Sequence, residues 1–94
     1  MKVRLKFFLP MLSEAVGRSE LEEEFSGQTV GDLIAHLARR YGRNAKDALY
    51  DKQGVLDLEV QVLVNKETWV TRENLDTPLS DGDQVMIMVL MAGG

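Results

Sequence analysis

Apolar and polar residues alternate strictly along the first stretch of the chain, "MKVRLKFFLP". Val3, Leu5, Phe7 and Leu9 fall on one side, and Lys2, Arg4, Lys6 and Phe8 on the other. A period of two predicts a half-buried β-strand. Pro10, which has no N–H to donate to a ladder, should end it, and "SEAVGR" then reads as a connection with a glycine turn. "SELEEEF" alternates again, despite glutamate being a poor strand former. Glu20, Glu22 and Glu24 point one way, Leu21 and Phe25 the other. Paired antiparallel with the first strand, these glutamates would sit across from Lys2, Arg4 and Lys6, and opposite charges across a pair are stabilising. Glu23 is the misfit. Alternation turns it inward, so an edge position or a bulge is needed to accommodate it.

The period then changes. In "SGQTVGDLIAHLARRYG", Val30, Leu33, Ile34, Leu37, Ala38 and Tyr41 recur at helical spacing. Thr29 predicts the N-cap, with Asp32 three residues on completing a capping-box pair near the positive end of the helix. Arg39 and Arg40 suit the last turn and Gly42 the position just past it. Within 43–57, "AKDALY" reads as a short helical turn and "DKQG" as turn chemistry. Alternation returns in "LEVQVLV", where Val60, Val62 and Val64 share a face opposite Glu59, Gln61 and Leu63. "NKE" is a tight turn, "TWV" a short strand and "DTPLSDGD" a turn cluster. "QVMIMVLM" is a last strand, with Val85, Ile87 and Val89 toward the core and Met86, Met88 and Leu90 away from it. A hairpin, a crossing helix and further strands make an α+β layer, one mixed sheet with a helix on one face.

Length, 94 residues, allows one domain. Apolar content of 45 % and charged content of 28 % are ordinary for a globular chain. A net charge of −4 argues against nucleic acid as partner, because phosphate binding needs a basic field. No run approaches the ~20 apolar residues that span a membrane. With no cysteine there is no disulfide framework, thiolate metal site or cysteine nucleophile, which fits a cytoplasmic location.

Candidate chemistry is sparse. His36, the one histidine, lies beside the helix stripe as a partly exposed bystander with no metal-ligand partner by spacing. No serine has a recognisable base, and neither phosphate-loop pattern is present. Glu22, Glu23 and Glu24 read as a solvated strand face, and Arg39, Arg40, Arg43 and Lys46 as helix-end electrostatics. What remains is the terminus, "VLMAGG". The chain passes from a core strand through Leu90, Met91 and Ala92 to Gly93 and Gly94 with no polar tail. Glycines without Cβ can thread a narrow channel. A carboxylate on such a tip can be delivered to ATP in another protein's active site. Attack on the α-phosphate gives an acyl adenylate open to sulfur or nitrogen nucleophiles. Residues 90–94 are expected to form a flexible tail. Phe8, Leu63, Met86 and Met88 should lie on the sheet face that the helix leaves uncovered, forming an apolar patch for a partner unless 43–57 folds over it.

"TVGDLIAHLARRYG", "VLVN" and above all "LDTPLSDGDQVMIMVLMAGG" resemble the ubiquitin-like, β-grasp sulfur carriers of the MoaD/ThiS type. The match runs closest to the molybdopterin synthase small subunit and its longer, archaeal-style modifier relatives, and "FFLPMLSEAVGRSELEEEF" extends it over nearly the whole chain. The resemblance implies a five-stranded sheet in the order 2-1-5-3-4. Asp81-Gly82-Asp83 corresponds to the turn that launches the last strand and Asn65 to the turn after the third. It implies adenylation of the Gly94 carboxylate by an E1-like, MoeB-type adenylyltransferase that uses ATP in trans, with no stably bound cofactor. Conversion to a thiocarboxylate follows, and then sulfur donation within a molybdopterin synthase large subunit-like partner. Val89-Leu90 stands where many of these proteins carry two prolines, which weakens the assignment to that particular partner. The alternatives are a protein modifier joined through Gly94 to lysines, and a β-grasp binding module that is never activated.

Overall fold

The computed structural model describes residues 1–89. Eight elements follow one another: β1 (Lys2–Phe8), α1 (Pro10–Val16), β2 (Glu20–Glu24), α2 (Val30–Tyr41), α3 (Arg43–Leu49), β3 (Val60–Val64), β4 (Thr68–Val70) and β5 (Gln84–Val89). The strands form one sheet in the order β2-β1-β5-β3-β4, the order that the β-grasp resemblance implies. β1 and β5 run parallel, and the other three pairings are antiparallel.

Period-two alternation is reproduced strand by strand. Val3, Leu5, Phe7, Val60, Val62, Val64, Val85 and Ile87 are buried and meet Val30, Leu33, Ile34, Leu37 and Ala38 of α2. Val89 is half-buried against the same cluster. The four N–H groups that open a helix lack intrahelical partners, and here each has one. Val30 N donates to Thr77 O and Gly31 N to Leu75 O. Asp32 N donates to Thr29 Oγ1, and Thr29 N to Asp32 Oδ2. Asp32 closes the box by accepting from Thr29 N and Gln28 N. Those two backbone donors, Gln28 first, hold the Asp32 carboxyl below its usual 3.8.

The stretch around "SEAVGR" is not a plain connection, because Pro10–Val16 is helical. Pro10 does end β1, but it also occupies the first helical turn, where a missing N–H costs nothing and the fixed φ is already right. Leu12 is fully buried beneath the helix, and Gly17, at φ 89°, ends it. Two turns are too few to raise a visible period. The "AKDALY" turn likewise belongs to a longer helix, α3. Its Ala45, Ala48 and Leu49 join the core, as does Leu56 beyond it. Three helical pieces, not one, cover the sheet.

Glu23 does turn inward, 5 % exposed. β2 is an edge strand, but the β1–β2 register runs unbroken from Lys2↔Glu24 to Lys6↔Glu20, so no bulge accommodates it. The accommodation comes from α2. His36 Nε2 lies 2.7 Å from Glu23 Oε2, Tyr41 donates to Oε1 at 3.0 Å and Arg40 Nε lies 3.2 Å from Oε2. A buried carboxylate is tolerable when its lone pairs are met. His36 is therefore not a bystander. The Tyr41 hydroxyl, then Glu23, push the Arg40 guanidinium above its ordinary value.

Two outcomes follow for folding. Glu23→Ala leaves three polar groups of α2 without their acceptor and should cost about 1–3 kcal/mol in urea melts. For Asp32, a folded-state pKa below the unfolded value means stability present above pH 3.8 and lost as pH falls through the lowered pKa. The stability gap between wild type and Asp32→Asn should therefore shrink in melts run below that pH, and a gap independent of pH would contradict this.

Candidate functional site

With the helices on one side, the opposite face of the sheet is set by the residues between the core positions. Register places them in rows. Phe8 lies beside Met88 and Met88 beside Gln61. Lys6 lies beside Met86, Met86 beside Leu63, and Leu63 beside Trp69. Phe8, Leu63, Met86 and Met88 are thus brought together on one surface across three strands. Phe8 is 48 % exposed and Trp69 52 %, while Leu63, Met86 and Met88 are half-buried by their neighbours. Lys6 Nζ sits 5.2 Å from the centre of the Phe8 ring, a cation against an aromatic face at the patch border.

The segment 43–57 does not fold over this surface. α3 packs on α2 and α1, and Ala45, Ala48, Leu49 and Leu56 insert into the core on the helix side. Toward β2 the same sheet face turns polar. A concavity of about 310 Å³ there is lined by residues that include Arg4, Lys6, Arg18, Glu20, Glu22 and Gln84. Lys2, Arg4 and Lys6 do face Glu24, Glu22 and Glu20 in register. The close ion pairs among the described residues lie elsewhere, at Glu23 with His36 and Arg40, Arg43–Asp47 and Arg72–Asp51. The charged hairpin is thus complementary in pattern without direct ion-pair contact.

Trp69 is the member of the patch that the strand-by-strand reading missed. The signal was available in the turn. Asn65 and Lys66 have φ of 52° and 60°, and Glu67 N donates to Val64 O. Positive φ at both central residues marks a tight hairpin turn. The loop holds three residues, Asn65, Lys66 and Glu67, and counting outward from those three pairs Thr68 with Val64 and Trp69 with Leu63. Leu58 was missed as well. It is 64 % exposed, two residues before Val60, which pairs with Val89, the last of the described residues. The remaining candidates, Leu90, Met91, Ala92, Gly93 and Gly94, lie outside the described residues.

β5 is a central strand, paired with β1 through Met88 and with β3 through Val89. Its outward side chains are the middle of the apolar patch, and its chain continues toward the terminal carboxylate. The open apolar face and the approach to the terminus are therefore parts of one strand.

A family model described as the ThiS family matches residues 8–94. A protein of Archaeoglobus fulgidus named as a sulfur carrier is 30 % identical over 83 residues, covering 88 % of this chain and 93 % of its own. The solution structure of small archaeal modifier protein 1 from Methanosarcina acetivorans superposes with a TM-score of 0.75 at 28 % identity, over 99 % of this chain and 96 % of its own. A Pyrococcus furiosus structure, named for subunit 1 of a molybdopterin converting factor, gives a TM-score of 0.68 at 27 % identity, over 97 % and 99 %.

Met86 is central to the patch and only half-buried. Met86→Glu should leave stability within about 1 kcal/mol of wild type in urea melts. A protein that docks on this face should bind the variant at least about tenfold more weakly. Loss of the fold would show instead that Met86 is core.

Proposed function

The chain belongs to the ThiS family of ubiquitin-like sulfur carriers, and on that premise we propose that its Gly94 carboxylate is the group activated and loaded with sulfur. The observation that carries this reading is the construction of β5. It is paired with β1 as far as Met88 and with β3 as far as Val89, five residues before the carboxylate of a chain ending in two glycines. It also carries Met86 and Met88 in the middle of the open face. A body built this way can be recognised through the sheet while the terminus enters another protein's active site.

The chemistry is then supplied in trans by an E1-like, MoeB-type adenylyltransferase. A carboxylate oxygen of Gly94 attacks the α-phosphorus of ATP. A P–O bond forms, and pyrophosphate leaves with the electron pair of the broken bond. A hydrosulfide-level sulfur nucleophile then attacks the acyl carbon. A C–S bond forms, the C–O bond to AMP breaks and AMP leaves, giving the thiocarboxylate. The two glycines let this carbon be approached without a side chain in the way. We assign the sulfur to molybdopterin synthesis, with a synthase large subunit-like partner as the acceptor complex. The likeness to the P. furiosus molybdopterin converting factor subunit supports this assignment.

The likeness to a small archaeal modifier protein favours a second reading. In it the same acyl adenylate is passed on to a lysine amine, leaving Gly94 in an isopeptide bond. Intact mass spectrometry separates the two after incubation with the adenylyltransferase, ATP and a sulfur donor. An oxygen-to-sulfur exchange at the terminus is the expected result. Adducts on lysines of other proteins would favour the modifier, and an unchanged mass with a competent enzyme would refute both. Deletion of Gly93 and Gly94 should abolish activation with no change in Tm. A large fall in Tm would make the terminus structural.

A further inference from the structure

We infer that Asn65 and Asp83 form a clasp that fixes the register of β5. Through β5 the clasp sets how far the terminus stands off the body. This consequence rests on the reading that Gly94 is the activated group; the clasp itself does not.

The need for such a device lies in the pattern of β5. A one-residue slip would exchange its two faces and is excluded by burial. A two-residue slip keeps the faces. Drawn back by two, β5 would put Ile87 in the place of Val85 and Val89 in the place of Ile87, one branched aliphatic for another. On the outer face Met88 would take the place of Met86. Apolar burial therefore discriminates poorly between the two registers. The opposite slip is blocked by the chain. Leu79 is buried and bonded through its N–H to Gln28 O, and Ser80–Asp83 is already a tight turn with Gly82 at φ 89°. There is no slack to extend β5, whereas two residues could be fed into the turn.

Polar bonds at the start of β5 oppose that retraction. Asn65 N donates to Gln84 O at 2.8 Å, and Gln84 N donates to Asn65 Oδ1 at 2.9 Å. One residue thus holds both backbone groups of Gln84. Asn65 Nδ2 donates to Asp83 Oδ1 at 3.0 Å, and the other carboxylate oxygen, Oδ2, accepts from Ser80 N at 2.8 Å. On the β1 side, Arg4 N donates to Asp83 O and Lys2 N to Asp81 Oδ1. A retracted strand would set Val85 where Asp83 stands, with no acceptor for Asn65. Asn65 can do this because asparagine tolerates its φ of 52°. Two residues of strand are about 6.6 Å, a large error for an atom that must meet an α-phosphate in line. Asn65 and Asp83 are positioning residues in this reading, remote from the reacting atoms.

The test uses the full chain. NMR contacts across β3 and β5 in the wild type should join Leu63 to Met86. Asn65→Ala and Asp83→Ala should add a second set that joins Leu63 to Met88. With an E1-like adenylyltransferase and ATP, pyrophosphate exchange should show kcat lowered about tenfold or more, with KM within about twofold because the open face keeps its composition. The reciprocal swap N65D/D83N can remake every bond with the charge moved across, and should restore both the native contacts and kcat. Native contacts alone in the single variants overturn the clasp, whatever their activity. Where a single variant does not fold, the swap decides: recovery supports the clasp and continued damage overturns it. A wild-type chain that is never activated, yet shows the second register on loss of Asn65, leaves the clasp standing and removes only the functional reading.

Discussion

Parallel pairing of β1 with β5 is the constraint on which the rest of the structure depends. It brings the first and last strands side by side in the middle of the sheet, from Arg4↔Gln84 to Phe8↔Met88. Parallel neighbours cannot be joined by a tight turn, so a crossover is obligatory. Here the crossover is nearly the entire chain. α2 lies across one face because that face carries the branched aliphatics of β1, β3 and β5. The segment 71–79 runs back over the start of α2, where Thr77 and Leu75 cap its free N–H groups. The approach is close at Gly31, where a Cβ would come within 3.1 Å of Leu75 O and the segment would have to give by a few tenths of an ångström. The same packing that fills the core thus delivers the chain to the turn from which β5 begins.

Glu23 shows how a polar residue is accommodated in such a core. Breaking a buried, hydrogen-bonded carboxylate away from its partners costs more than the pair contributes over an apolar substitute. The arrangement of Glu23 with His36, Arg40 and Tyr41 is therefore weak evidence for stability as such. It does tie the edge strand β2 to the far half of α2 at one specific position, through residues 13 to 18 apart in sequence. An edge strand made of glutamates has little apolar surface with which to hold itself in place. A directional bond supplies what burial cannot.

The sheet and main helix were legible because their periods are long and clean. Lys2–Phe8, Val60–Val64 and Gln84–Val89 alternate without interruption, and the stripe from Val30 to Tyr41 is carried by a capping box that both Thr29 and Asp32 complete. The candidate patch was half legible. Alternation places Phe8, Leu63, Met86 and Met88 on the outer face, but adjacency depends on strand order, which came from the family resemblance and not from any period. Trp69 was hidden because a three-residue strand shows one outward position at most, and only the hairpin turn gives its row. Helix α1 was hidden because proline has two meanings, the end of a strand and the first turn of a helix. The partners of Glu23 were hidden because a burial pattern says where a side chain points and nothing of what it meets.

Sulfur carrier and protein modifier diverge only after the acyl adenylate. Up to that point the two need the same things: a folded body that can be recognised, a terminus that can be threaded, and a carboxylate with no side chain beside it. The body therefore has no reason to differ between them, and likeness to both kinds of protein over almost the full length is what this chemistry leads one to expect. The choice lies with the nucleophile that meets the anhydride. A sulfur attacking the acyl carbon leaves the chain itself intact and reusable. A lysine amine consumes the chain in the product. On the reading proposed above, selection between them would belong to the enzyme that encloses the terminus, and this chain would influence it only through what it presents, the open face of the sheet and the length of chain beyond Val89.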